Sequence, residues 1–169
     1  MKADVHCPEC GAPGVADPDA CNVVFQTVVG WEFGRPELFG VHGLTVDAYS
    51  LQHPDRYMES SKSAAAHLAG LCWRVEGRDV GDSASISKRI SGWLDGRADL
   101  PRVEPPPKGE RGALTIMHVF ETEGDARHVE RVQEWARSVW SAWTVGHAQA
   151  RAWLEALGIE VYHGRGEGP

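Results

Sequence analysis

Cys7, Cys10 and Cys21 put three thiols into the opening stretch C-P-E-C-G-A-P-G-V-A-D-P-D-A-C. A C-x2-C spacing lets two thiolates from one tight turn reach a single tetrahedral ion, and a third cysteine nearby leaves one ligand to be found. Pro8 preorganises the turn, and Gly11 permits close backbone approach after the second cysteine. A redox pair of the thioredoxin kind would need a preceding strand, which residues 1–6 do not supply. The chemistry these residues suggest is zinc binding. Four protein ligands would make the site closed and structural, whereas three thiolates and a water would leave it open to activate that water.

The fourth ligand depends on how the next elements run. Val23, Val24, Thr27, Val28 and Trp31 form an apolar helical face, which Gly34-Arg35-Pro36 ends. Val41 to His53 reads as a second helix, stopped by Pro54. If the chain turns between Gly34 and Gly40, the two helices lie antiparallel and His53 returns level with Cys21, while His42 sits at the far end. His53 therefore leads, and Cys72, His42, His6, His67 or water remain as alternatives. The expected ligand set is Cys7, Cys10, Cys21 and His53. Cys72 sits in an apolar run, Leu68-Ala69-Gly70-Leu71-Cys72-Trp73, where a buried thiol is the ordinary expectation.

Further along, Ser60 to Ser63 offer caps for a helix running through Leu68 and Cys72 to Gly77. Ser83 can cap a shorter helix carrying Ile86, Ile90 and Trp93. Residues 97–112, with Pro101, Pro105, Pro106 and Pro107, cannot be regular structure. Leu114 to Phe120 fits either a strand or a buried helical turn. Asp125 to Leu157 reads as one long helix, ~50 Å at 1.5 Å per residue unless it bends near Gly146. Trp135, Trp140, Trp143 and Trp153 fall along it as a core seam. The predicted fold is mainly α: a helical bundle with an N-terminal zinc-knuckle loop. Residues 1–163 are read as a single helical domain, with 1–21 as the knuckle segment and 164–169 as a flexible tail.

Composition narrows the function. The chain has 169 residues and a formal net charge of −7, with its 17 Lys and Arg scattered. Phosphate affinity comes mainly from clustered cations, so nucleic acid and anionic membranes are not expected partners. No run is long enough to span a bilayer and the start lacks an apolar signal core, so a cytoplasmic location with reduced thiols is expected.

The motifs Cys7-Pro8-x-Cys10-Gly11-Ala12, Val46-Asp47-Ala48-Tyr49-x-Leu51-Gln52-His53-Pro54 and Trp135-Ala136-x-Ser138-Val139-Trp140 resemble an uncharacterised bacterial family, a domain of unknown function. The resemblance covers most of the chain and implies one unit; it brings no activity.

A second candidate site is a pocket between the second and last helices, lined by His42, Asp47, Tyr49, Trp143 and His147. Two readings follow. One is a zinc-stabilised helical protein that binds a small molecule or a protein partner. The other is a small metal-assisted hydrolase or general acid–base enzyme using that pocket. No nucleophile motif, phosphate loop or dinucleotide fingerprint supports a particular reaction.

Overall fold

A computed structural model describes residues 5–77, 82–97 and 99–162. The expected tail at 164–169 and His163 lie outside the described residues. The protein is mainly α, and the helices run α1 (Pro18–Gly34), α2 (Pro36–Phe39), α3 (His42–Gln52), α4 (Pro54–Tyr57), α5 (Ser61–Glu76), α6 (Ser83–Asp95), α7 (Ile116–Phe120), α8 (His128–Ala142) and α9 (Thr144–Ala156).

Local chemistry sets these boundaries. Asp17 caps α1 by accepting from the Ala20 amide at 2.8 Å, with Pro18 at the first position, where its missing N–H costs nothing. Ser60 caps α5 in a reciprocal box with Ser63, as the sequence suggests. The cap of α6 is Asp82 rather than Ser83: its carboxylate accepts from the Ala84 amide at 3.1 Å. The ambiguous segment at 114–120 is helical, begun by Thr115, whose amide donates to His118 Nδ1 at 3.0 Å.

Two expectations are corrected. The inward face of α1 is Cys21, Phe25, Val28 and Glu32; of the expected stripe only Val28 is fully buried, Val24 and Trp31 pack partly against the core, and Thr27 and Val23 are exposed, Val23 at 65%. Residues spaced by four, three and four share one helical face, so holding Cys21 inward carries Glu32 with it. The long C-terminal helix is two helices, broken at Trp143 rather than bent at Gly146. The break lets α8 pack on α3 and α5 while α9 turns back onto α5. Gly146 serves a close approach instead, because a Cβ there would lie 3.0 Å from Leu68 Cδ2.

The core is the expected tryptophan seam. Trp135, Trp140, Trp143 and Trp153 are all buried, within one hydrophobic cluster that includes Leu68, Leu71, Ile116 and Leu154. Gln52 ties this seam to the loop before α7. Its carbonyl oxygen accepts from Trp135 Nε1 at 3.0 Å, and its amide donates to the carbonyls of Arg111 and Leu114.

Residues 97–112 are irregular, as the prolines require, yet they are fastened. Buried Arg111 donates to Glu9 Oε2 at 2.6 Å, to the Pro106 carbonyl at 2.9 Å and to the Gln52 carbonyl at 3.3 Å. Lys108 also pairs with Glu9 and bridges to Asp55 at 3.0 Å. Glu9 stands between Cys7 and Cys10, so this latch holds the cysteine turn from outside.

Candidate metal centre

The cysteine turn is a tight hairpin. The Cys7 amide donates to the Ala12 carbonyl at 2.9 Å, the Gly11 amide to the Cys7 carbonyl at 2.8 Å, and the Gly14 amide to the Val5 carbonyl at 2.7 Å. Gly11 has φ +78°, a left-handed conformation that glycine adopts without strain. Cys21 lies in the first turn of α1, where the helix dipole favours a thiolate. His53 ends α3; the following proline disfavours the helical region there, and its backbone leaves it at φ −125° and ψ 56°.

These three elements converge on one point. The ligand atoms of Cys7, Cys10, Cys21 and His53 all lie within 4.8 Å of one another, and all four residues are buried. Cys10 Sγ and Cys21 Sγ are 3.8 Å apart, and Cys7 Sγ is 3.7 Å from His53 Nε2. A tetrahedral shell with metal–sulfur bonds of ~2.3 Å has sulfur–sulfur edges of ~3.8 Å, so the cluster fits an ion of that kind. His42 sits at the other end of the hairpin, as the antiparallel arrangement requires.

Thiol electrostatics point the same way. Hydrogen bonds from Cys10 and then Cys21 hold Cys7 far below the ordinary thiol range. Hydrogen bonding to Cys21 and then Cys7, with burial, drives Cys10 far above it. For Cys21 a lowering hydrogen bond from Cys10 is outweighed by its bond to Cys7 and by burial, and the thiol is pushed up to about 12. Three buried sulfurs at this spacing oppose one another's ionisation unless a cation lies between them.

Tyr49 supports two of the ligands. His53 Nδ1 donates to the Tyr49 carbonyl at 3.0 Å, which leaves Nε2 unprotonated and turned to the sulfurs. The Tyr49 phenol lies in the field of Cys21, and burial first, then that sulfur, raise its pKa well above the tyrosine norm. Its ring is stacked with Phe25 and His53, both at centroid distances of 4.0 Å. Tyr49→Phe should therefore weaken metal affinity by about 10–100-fold with little loss of helix, measured by competition with a chromogenic chelator. Unchanged affinity would show that the phenol does not tune the site.

The other residues of the expected interhelical pocket do not converge on one space. His42 Nδ1 lies 2.9 Å from Glu32 Oε2, with Phe33 and Phe39 against its ring. Asp47 receives His67 Nδ1 at 3.0 Å and Arg74 Nη1 at 2.6 Å. Trp143 is fully buried at the α8–α9 joint, and its Nε1 has no hydrogen-bond partner among the described residues. His147 stacks on Trp140 at 4.1 Å and donates from Nε2 to the Trp140 carbonyl at 2.7 Å. Tyr49 belongs to the metal cluster. Cys72 also stands apart: its thiol faces Glu76 Oε2 at 3.9 Å, and burial pushes it up to about 12.

Sequence reasoning missed Glu32. It is fully buried and accepts from Thr45 Oγ1 as well as facing His42 and His128. Thr122 Oγ1 gives its proton to the Val119 carbonyl, so it accepts from His128 Nδ1, and one proton is shared between His128 Nε2 and Glu32 at 3.1 Å. Its position on the Cys21–Phe25–Val28 face was the available signal.

The fold and this cluster define a helical protein with a buried Cys3His site compatible with a metal ion. The chain belongs to DUF5946, a family of unknown function whose model matches residues 5–144. The match takes in all four cluster residues and ends at the α8–α9 joint. No curated protein and no solved structure matches the chain.

Proposed function

We propose that the protein is a zinc protein whose Cys3His ion is structural, and that its helical body binds a small molecule or a protein partner. The observation that carries this reading is the complete donor set: four buried protein ligands, with the second histidine nitrogen already committed to Tyr49. Soft thiolates with one imidazole favour zinc, and a filled tetrahedral shell leaves no position for a reacting water. The ion joins the knuckle to the start of α1 and the end of α3, segments that are distant in sequence. Its binding free energy would then be folding free energy.

The reducing interior of the cytoplasm suits free thiols of this kind. No described helix is long and apolar enough to cross a membrane. A cleft of about 210 Å³ beside the site, lined by Glu9, Pro18, Tyr49, His53, Asp55 and Arg56, gives the binding role a location next to the ion.

Metal analysis of protein purified without added metal tests the reading. It predicts about one zinc per chain, bound more weakly as pH falls because the ligands must lose protons. Protein with no bound ion, or with iron in place of zinc, would overturn it.

A further inference from the structure

A second site, remote from the cysteines, is built around a buried ion pair. Asp47 on α3 and Arg74 on α5 meet at 2.6 Å, with side chains 10% and 18% exposed. Two glycines clear the space for them. A Cβ on Gly43 would lie 2.4 Å from Arg74 Nε, and one on Gly70 would lie 2.5 Å from Asp47 Oδ2. Ser87 Oγ of α6 accepts from Arg74 Nη2 at 3.2 Å. The guanidinium is thus fixed in position before any ligand arrives.

Arg74 borders a cavity of about 190 Å³ together with Leu44, Val75, Gln133 and Arg137. Gln133 and Arg137 of α8 are exposed and make no ion pair or hydrogen bond among the described residues. Of the acids on these helices, Asp47 is paired with Arg74 and His67, Glu76 with Arg151 and Glu134 with Arg131 at 3.2 Å, while Glu130 is exposed and does not line the cavity. Two guanidiniums and a carboxamide therefore line one cavity with donors in excess of acceptors, on a chain of net charge −7. Paired guanidinium forks match the planar or tetrahedral oxygens of a carboxylate or phosphate. The volume is below that of drug-sized pockets, which suits a small ligand.

We propose that the cavity formed by Arg74, Gln133 and Arg137 is a binding site for a small oxyanion, a phosphate or a short carboxylate. Arg74 supplies the fixed cation, and Arg137 closes on the ligand from α8. The site is independent of the cysteine cluster.

The test titrates inorganic phosphate, and separately succinate, into the metal-loaded full chain at low ionic strength, followed by calorimetry. At least one of the two anions should bind saturably, and added chloride should weaken it because exposed charges are screened. R137Q alters an exposed side chain and should fold normally by circular dichroism, yet bind about tenfold or more weakly, the effect of losing one charged hydrogen-bonding group. G43A should also weaken binding by displacing Arg74, while metal content stays unchanged in both variants. The better-bound anion identifies the ligand class. Absence of saturable binding by both anions, or equal binding by wild type and R137Q, would overturn the proposal.

Discussion

Removing the metal is expected to unfold the N-terminal part of the protein, with a fall in Tm on the order of 10–20 °C. Apart from the ligands, the knuckle is held by few contacts: Ala12 and Val15 in the core, and the Glu9 latch to Arg111, Lys108 and the Gly109 amide, which fastens it to the 97–112 loop rather than directly to α1 or α3. Without a cation the three buried sulfurs, packed within 4.8 Å of one another, oppose one another's ionisation. The structure would relieve that conflict by opening. Because Cys21 and His53 anchor α1 and α3, the loss should spread to the hairpin and appear as reduced helical signal in circular dichroism. His53→Ala should reproduce the effect of a chelator, and Cys72→Ala should leave metal content unchanged. A melting curve that is the same with and without chelator would show that the cluster does not hold the fold.

The second large effect is expected at Arg111. Its guanidinium is buried against Glu9 and two main-chain carbonyls, so Arg111→Met leaves a buried carboxylate short of its partner and two acceptors unmet. Breaking a buried pair from one side typically costs about 3–5 kcal/mol. Lys108 still reaches Glu9, which places the expected loss near ~3 kcal/mol, the lower end of that range. The double variant Glu9→Gln, Arg111→Met should recover part of the loss, since no unpaired charge is then stranded. Urea denaturation with zinc content measured alongside would separate this latch from the metal. A single variant within ~0.5 kcal/mol of wild type would show that the latch contributes little.

Much of the candidate site was legible because its signals are short-range and chemical. The C-x2-C turn, the proline after His53 and the breaks between Gly34 and Gly40 together specify a hairpin that returns a histidine to the cysteines. The capping pattern at Ser60 and the apolar run around Cys72 were equally local, and the structure follows both.

What escaped was set by packing between distant segments. The apolar stripe on α1 shares only Val28 with the fully buried face: the fixed position of Cys21 shifts that face so that Phe25 and Glu32 are buried while Val23 and Thr27 are exposed. Periodicity alone ran α8 into α9, because the break at Trp143 comes from docking α9 on α5 and not from a helix-breaking residue. The expected pocket of His42, Asp47, Tyr49, Trp143 and His147 assumed that polar residues on two helices would face each other. Three of them have a nearer partner from a third element, Glu32 for His42, Arg74 for Asp47 and Cys21 for Tyr49, while His147 folds back on Trp140 and Trp143 is buried at the α8–α9 joint. Arg111 sat in a proline-rich loop that offered no periodic signal, so its pairing with Glu9 could only be read from the fold.

The most direct test of the structural-zinc account is X-ray absorption at the zinc edge on the purified full-length protein. The account predicts one shell of three sulfurs at ~2.3 Å and one nitrogen at ~2.0 Å, with no exchangeable oxygen. Two or fewer sulfurs, or a light-atom shell containing water, would contradict it.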